Sequence, residues 1–246
     1  MGFIITYSPV FCMKTIDTFG LAERHRHTAT AGATDFLSET HLEASEHGRV
    51  ALRALAGRLA VSPPAVSRMA QRLVRRGLLK REGACGLELT EPGLGIALKA
   101  IRKRRIFEAF LVQQLGYGWH EVYPVAAPVS NSLDDELVER MYVRLGRPGR
   151  CPHGDPIPGP DGSLVIPPWR ALVDLADREA ATITRVSSHE TEMLRYLDSI
   201  GIRPGAPVQV IARAPFAGPI RVRLGAPGHA YEQALGAELA ARIWVE

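Results

Sequence analysis

The stretch Leu59-Ala60-Val61-Ser62-Pro63-Pro64-Ala65-Val66-Ser67-Arg68-Met69-Ala70-Gln71-Arg72-Leu73-Val74-Arg75-Arg76-Gly77 decides the fold. Upstream, Leu52, Leu55, Ala56 and Leu59 recur at i, i+3, i+4, i+7, the spacing of one buried helical face. Val61-Ser62 interrupts that period. Ser62 is placed to cap a second helix that opens on Pro63-Pro64, where a missing N–H costs nothing. Val66, Met69, Ala70, Leu73 and Val74 fall on one side of it and Ser67, Arg68, Gln71, Arg72 and Arg75 on the other, and Gly77 ends it. From Leu78 to Thr90 the period shortens around Gly83-Ala84-Cys85-Gly86, which predicts a two-stranded ribbon. Helix, tight turn, polar-faced helix and ribbon make a winged helix-turn-helix.

Charge supports the use such a unit suggests. Arg49, Arg53, Arg58, Arg68, Arg72, Arg75, Arg76, Lys80 and Arg81 lie in a segment that contains no acid, although the whole chain carries a formal charge of only +4. A second cluster, Lys99, Arg102, Lys103, Arg104 and Arg105, follows. A basic block inside a folded segment is the footprint of a polyanion partner. A helix fits the major groove of double-stranded DNA, so Ser67, Arg68, Gln71 and Arg72 are expected to reach base edges and phosphates. Ser62, Pro64, Arg75, Lys80 and Arg81 complete the expected DNA-binding set.

Outward from this unit, residues 1–33 lack a sustained period and are expected to form a disordered extension, with a first helix from Thr34 to about Glu46. The winged unit is assigned to 34–91. A long helix capped by Thr90 and ending at Gly116, a short one near Trp119–Ala127, and one at Leu133–Leu145 make a helical dimerisation and sensor domain over 92–146. The last of these is expected to bury Leu133, Leu137, Met141 and Leu145. Residues 146–168 hold seven prolines and five glycines, so 147–181 reads as a linker. Beyond it, 182–246 alternates in short strands (Val208–Ile211, Ile220–Leu224, Ile243–Val245) around a helix at Glu190–Ser199, which suggests an SH3-like small β-barrel. The fold class expected is α+β.

The 246 residues are 46% hydrophobic and 23% charged, which excludes wholesale disorder. No apolar run approaches the roughly 20 residues of a membrane helix. No secretory signal is evident, and Cys12, Cys85 and Cys151 are too few and too scattered for a disulfide scaffold. A cytoplasmic protein with no membrane partner is the expectation.

The order of parts resembles the iron- and manganese-dependent repressors of the diphtheria-toxin-repressor family over residues 34–246. The matching motifs are Leu59–Ser67, Leu89-Thr90-Glu91-Pro92-Gly93, Cys151-Pro152-His153-Gly154-Asp155-Pro156-Ile157-Pro158-Gly159, and Leu194-Arg195-Tyr196-Leu197. The resemblance implies a homodimeric repressor of metal-homeostasis genes that reads an operator. In the family a divalent Mn or Fe ion in the middle domain sets the spacing of the two reading heads, and a C-terminal SH3-like (FeoA-like) domain assists.

The ligands that the resemblance implies are mostly replaced. Asp35 falls at the family's first-helix ligand, but the companion positions read Ala127, Ser130 and Asn131. At the second site a His position reads Arg104, four residues before a retained Glu108, and another His position reads Tyr123. His189 and Glu192 stand where the third domain can add ligands. Asp35, Glu108, His189 and Glu192 are therefore the metal candidates, each with an ordinary alternative as a capping or ion-pairing group. Arg104, a permanent cation, is a candidate surrogate for the ion, expected to tie Glu108 to Glu192. Two further readings stand beside this one. One is an accessory protein that keeps the fold without binding DNA; the other is an enzyme using Cys151 or His153, though no nucleophile elbow or phosphate loop accompanies them. As a half zinc site, Cys151 and His153 lack a visible companion.

Overall fold

A computed structural model describes residues 31–83, 86–216, 218–225 and 228–246. The expected extension lies outside these as far as residue 30, and residues 31–33 already open the first helix. Helix α1 (Ala31–His47) is followed by β1 (Val50–Ala51), α2 (Leu52–Arg58), α3 (Pro63–Arg75), β2 (Leu79–Glu82) and β3 (Gly86–Leu89). Ala60, at φ 51°, makes the left-handed step that turns α2 into α3. Ser62 holds the N-cap position, but its hydroxyl makes no capping bond. Leu55, Val66, Ala70, Leu73, Leu78 and Leu87 close one core with Phe36 and Leu37 of α1. The ribbon gains a strand the sequence did not disclose. β1 pairs with β3, giving the sheet order β1-β3-β2.

Helix α4 (Glu91–Leu115) runs from the Thr90 cap to Gly116, whose φ of 74° supplies the left-handed C-cap. Gly93 sits so close to Leu78 that a Cβ would lie 1.9 Å from its carbonyl oxygen, which seats α4 against the winged unit. Helices α5 (Val122–Ser130) and α6 (Asp135–Arg144) follow. Asp134 caps α6 by accepting from the Glu136 and Leu137 amides. The burial expected of Leu137 is not met. That side chain is 42% exposed, and Val138 alone is buried on α6. The physical reason is that the apolar side of α6 packs only in part on its own chain.

The Pro/Gly-rich segment is folded rather than a free linker. An Arg150–Pro156 bridge closes a loop that buries Cys151, His153 and Asp155. The C-terminal unit then comprises β4 (Arg170–Ala171), a 3-10 turn, β5 (Ala180–Val186), α7 (Thr191–Ser199), β6 (Pro207–Arg213), β7 (Ile220–Leu224), β8 (Tyr231–Leu235), α8 (Ala237–Ala240) and β9 (Ile243–Val245). Its antiparallel sheet, in the order β4-β9-β5-β6-β7-β8, wraps a core of Ile183, Leu194, Leu197, Val210, Val222 and Ile243. No helix among the described residues is long and apolar enough to cross a membrane.

Candidate DNA-reading face and interdomain charge network

On α3 the two faces separate as the sequence required. Val66, Ala70 and Leu73 are buried, while Arg68, Gln71, Arg72 and Arg75 are exposed and Ser67 is partly so. Ser62 and Pro64 lie exposed at the start of the helix. On the wing, Lys80 and Arg81 are exposed, and Lys80 pairs with Glu88 at 2.9 Å. At such exposure that pair is worth under about 1 kcal/mol and leaves the lysine available to a phosphate.

The second basic cluster has a different use. Arg102, Arg104 and Arg105 are all buried, because each projects from α4 onto an acceptor in another part of the chain. Arg102 donates to the Pro158 carbonyl at 2.7 Å and pairs with Glu139 at 2.8 Å. Arg105 donates to the Pro156 carbonyl at 2.6 Å and meets Asp155 at 3.2 Å. Arg104 donates to Glu39 of α1 at 3.3 Å and lies 3.9 Å from Glu108. These guanidiniums hold domains together and are not a polyanion footprint. A charge taken out of water needs such partners, and these supply them.

Glu39 is the centre of this network, and sequence reasoning passed it over. One oxygen meets Arg104 and lies 3.5 Å from the Tyr123 hydroxyl, while the other accepts from Arg58 of α2 at 2.9 Å. Arg58 also binds Glu46 at 2.9 Å. Burial opposes the charge on Arg104, but Glu108, Tyr123 and Glu39 together hold its pKa above the ordinary value. Burial and Glu39 push the Tyr123 phenol up to about 12. Tyr123 stacks on His189 with ring centroids 4.1 Å apart. Burial, and the nearby Arg104, keep the His189 imidazole well below its usual pKa.

The expected bridge from Arg104 to Glu192 is not formed. Glu192 lies exposed in the first turn of α7, and the second carboxylate that Arg104 reaches is Glu39. The other metal candidates are also scattered. Asp35 accepts from Asn131 at 2.5 Å, and burial raises its pKa. Ala127 offers no donor, and Ser130 is buried beside it. At the first site implied by the family an amide occupies the carboxylate, and at the second a guanidinium stands among the donors. Neither donor set fits a Mn or Fe ion, which prefers several O and N ligands.

A third grouping joins the metal candidate Glu108 to Cys151 and His153, the pair that lacked a visible companion in the sequence. Glu108, Cys151 and His153 are all buried, with one ligand atom from each within 4.8 Å of the others. His153 Nδ1 lies 3.8 Å from Glu108 Oε2, too long for a hydrogen bond, and neither ring nitrogen has a hydrogen-bond partner among the described residues. Burial opposes a charge on His153, but Cys151 and Glu108 outweigh it and hold the imidazole up to about 10. Between the winged unit and the C-terminal unit, Glu39, Arg58, Tyr123, His189 and Trp244 line a cleft of about 570 Å³.

A winged reading head, a helical middle domain and an SH3-like unit define a DNA-binding regulator. Comparison with known proteins makes the class specific. Residues 90–159 match the family described as iron dependent repressor, metal binding and dimerisation domain. Residues 170–246 match the FeoA domain, and 42–83 match the MarR family. The chain is 32% identical over 209 residues to the iron-dependent repressor IdeR of Mycobacterium tuberculosis, covering 80% of this chain and 89% of that protein. It is also 32% identical over 195 residues to the diphtheria toxin repressor of Corynebacterium efficiens, covering 72% and 82%. Among solved structures, a manganese-dependent transcriptional repressor in complex with manganese superposes with a TM-score of 0.80 at 37% identity, covering 87% of this chain and 98% of that one. The chain belongs to the iron-dependent repressor family. The proteins it resembles are transcriptional repressors, so a catalytic use of Cys151 or His153 is set aside.

Proposed function

We propose that the chain is a cytoplasmic, homodimeric transcriptional repressor that reads a double-stranded operator near metal-homeostasis genes. In this reading the DNA-competent arrangement is held by Arg104, at the position where the family resemblance implies a metal-ligating His. The observation that carries DNA reading is the exposed α3 face, with Ser67, Arg68, Gln71 and Arg72 outward in a segment without acids. Arg68 and Gln71 are assigned base edges, while Ser62, Pro64, Arg72, Arg75, Lys80 and Arg81 are assigned the phosphate backbone, which positions more than it specifies. One winged helix offers little contact area, so affinity comes from two half-sites read by a symmetric pair. Val125 and Val129 of α5 and Leu137 and Val143 of α6 are exposed apolar side chains on the helical domain, and they supply the face for that pairing. Arg104 supports the metal-free arrangement because its two carboxylate partners come from the reading head and from α4 itself. Asp35, His189 and Glu192 are assigned no ion. Gel-shift titration on DNA from the protein's own upstream region tests the reading. Binding should be specific and should weaken steeply with salt. Equal affinity for upstream and random DNA would contradict it.

A further inference from the structure

We propose that Glu108, Cys151 and His153 form a site for one borderline-soft divalent transition ion, of the zinc, cobalt or ferrous class, at the junction of α4 with the C-terminal domain. These are not the residues at which the family's sites fall, apart from Glu108. The three offer a carboxylate oxygen, a sulfur and an imidazole nitrogen within 4.8 Å of one another, and all three are buried. His153 is fully buried, yet both ring nitrogens lack a hydrogen-bond partner among the described residues. Buried polar atoms are nearly always satisfied, so two on one ring mark a missing partner. An ion bound by a thiolate and a carboxylate has its two charges neutralised on the spot, which a buried dication requires. Sulfur and imidazole together select zinc, cobalt or ferrous iron over manganese. Three protein ligands leave a fourth position for water.

The setting is rigid. The His153 carbonyl accepts from the Val186 amide at 2.9 Å, and a Cβ on Gly154 would lie 1.9 Å from the Thr184 carbonyl oxygen. Asp155 is clamped between Arg105 of α4 and Arg185 of β5. The loop therefore cannot swing away to find other partners. Glu108 faces two ways. Oε2 is turned to His153 and Oε1 to Arg104, 3.9 Å away, whose charge is shared with Glu39. An ion taken through Oε2 leaves the contacts of Arg104 in place. It adds a clip between α4 and the C-terminal domain, and the operator-binding arrangement held by Arg104 does not depend on it.

The test uses the full chain with Cys12→Ser and Cys85→Ser as background, stripped by chelator and titrated with cobalt. One equivalent should bind and produce a near-ultraviolet thiolate-to-cobalt charge-transfer band. Cys151→Ser should abolish that band. His153→Gln and Glu108→Gln should each weaken cobalt binding by about tenfold or more, since even outer partners of a metal site are worth roughly 10–100-fold. Zinc should displace cobalt and manganese should not. If the background protein binds cobalt without the band, or keeps the band after Cys151→Ser, the site is elsewhere and the proposal is overturned. The readout is independent of DNA, so its failure leaves the repressor reading untouched.

Discussion

Arg104 on the middle helix donates to Glu39 on the first helix at 3.3 Å, and through that contact the helical domain is tied to the DNA-reading head. The same carboxylate receives Arg58 of α2, so one buried acid fixes three helices. Removing one partner of such a buried group is costly, about 3–5 kcal/mol, because the other is left charged and unpaired. On the proposed reading, a fixed guanidinium in this position does mechanically what a bound dication would do in a sensor, without the reversibility.

Arg68→Ala or Gln71→Ala is expected to cost about 1–3 kcal/mol of operator binding and to relax sequence preference, since each removes a reach to a base edge. Fluorescence anisotropy on operator and scrambled duplexes measures both. Arg75→Ala, on the same helix, should weaken the two duplexes alike.

Leu137→Asp or Val129→Asp should convert the protein to a monomer in sedimentation velocity at micromolar concentration. Both residues are exposed on the helical domain, Leu137 at 42% and Val129 at 41%. An unchanged dimer would place the interface elsewhere.

His41 gives a defined acid response. Burial, with Arg105 nearby, lowers its pKa to about 4 from the ordinary 6.5. The folded state therefore holds it neutral where the unfolded chain takes up a proton. Its contribution is intact above pH 6.5, is lost as pH falls towards 4, and levels off below. Relative to His41→Gln, the native protein should lose up to about 3 kcal/mol across that window, measured by urea unfolding at a series of pH values.

Gly154→Ala should destabilise the protein by about 1–3 kcal/mol or more. The residue has φ of +91°, and a methyl group would strike the backbone of Thr184. Thermal unfolding measures this directly, and a Gly149→Ala control, with open space at its Cβ, should change little.

The reading head was legible because its signals are local. The 3.6-residue period of Leu52–Leu59 and Val66–Leu73, the prolines of α3 and the turn at Gly83 all act within a few residues. What stayed hidden acts across the chain. Helix α1 buries Ser38, Glu39, Thr40 and Glu43 alongside Phe36 and Leu37, so its stripe looks thin and its decisive acid looks like a surface residue. The α4 arginines read as a basic face because nothing in sequence places Glu39, Asp155 or the Pro158 carbonyl beside them. Arg104 lies beside Glu108, as their spacing on α4 requires, but its other carboxylate partner comes from α1 because Glu192 faces solvent. Strand β8, Tyr-Glu-Gln-Ala-Leu, is an edge strand with four of five side chains at least partly exposed, and its pattern resembles a loop. Glu108 stands beside Cys151 and His153 only because α4 packs against their loop, a contact that no local pattern discloses.

The measurement that bears most directly on Arg104 as the ion's replacement is operator affinity in strong chelator, compared with that of Arg104→Ala under the same conditions. Native protein should bind as tightly with chelator as with added manganese or iron, and Arg104→Ala should bind at least about tenfold more weakly in both. Loss of native affinity in chelator, restored by manganese or iron, would contradict the account.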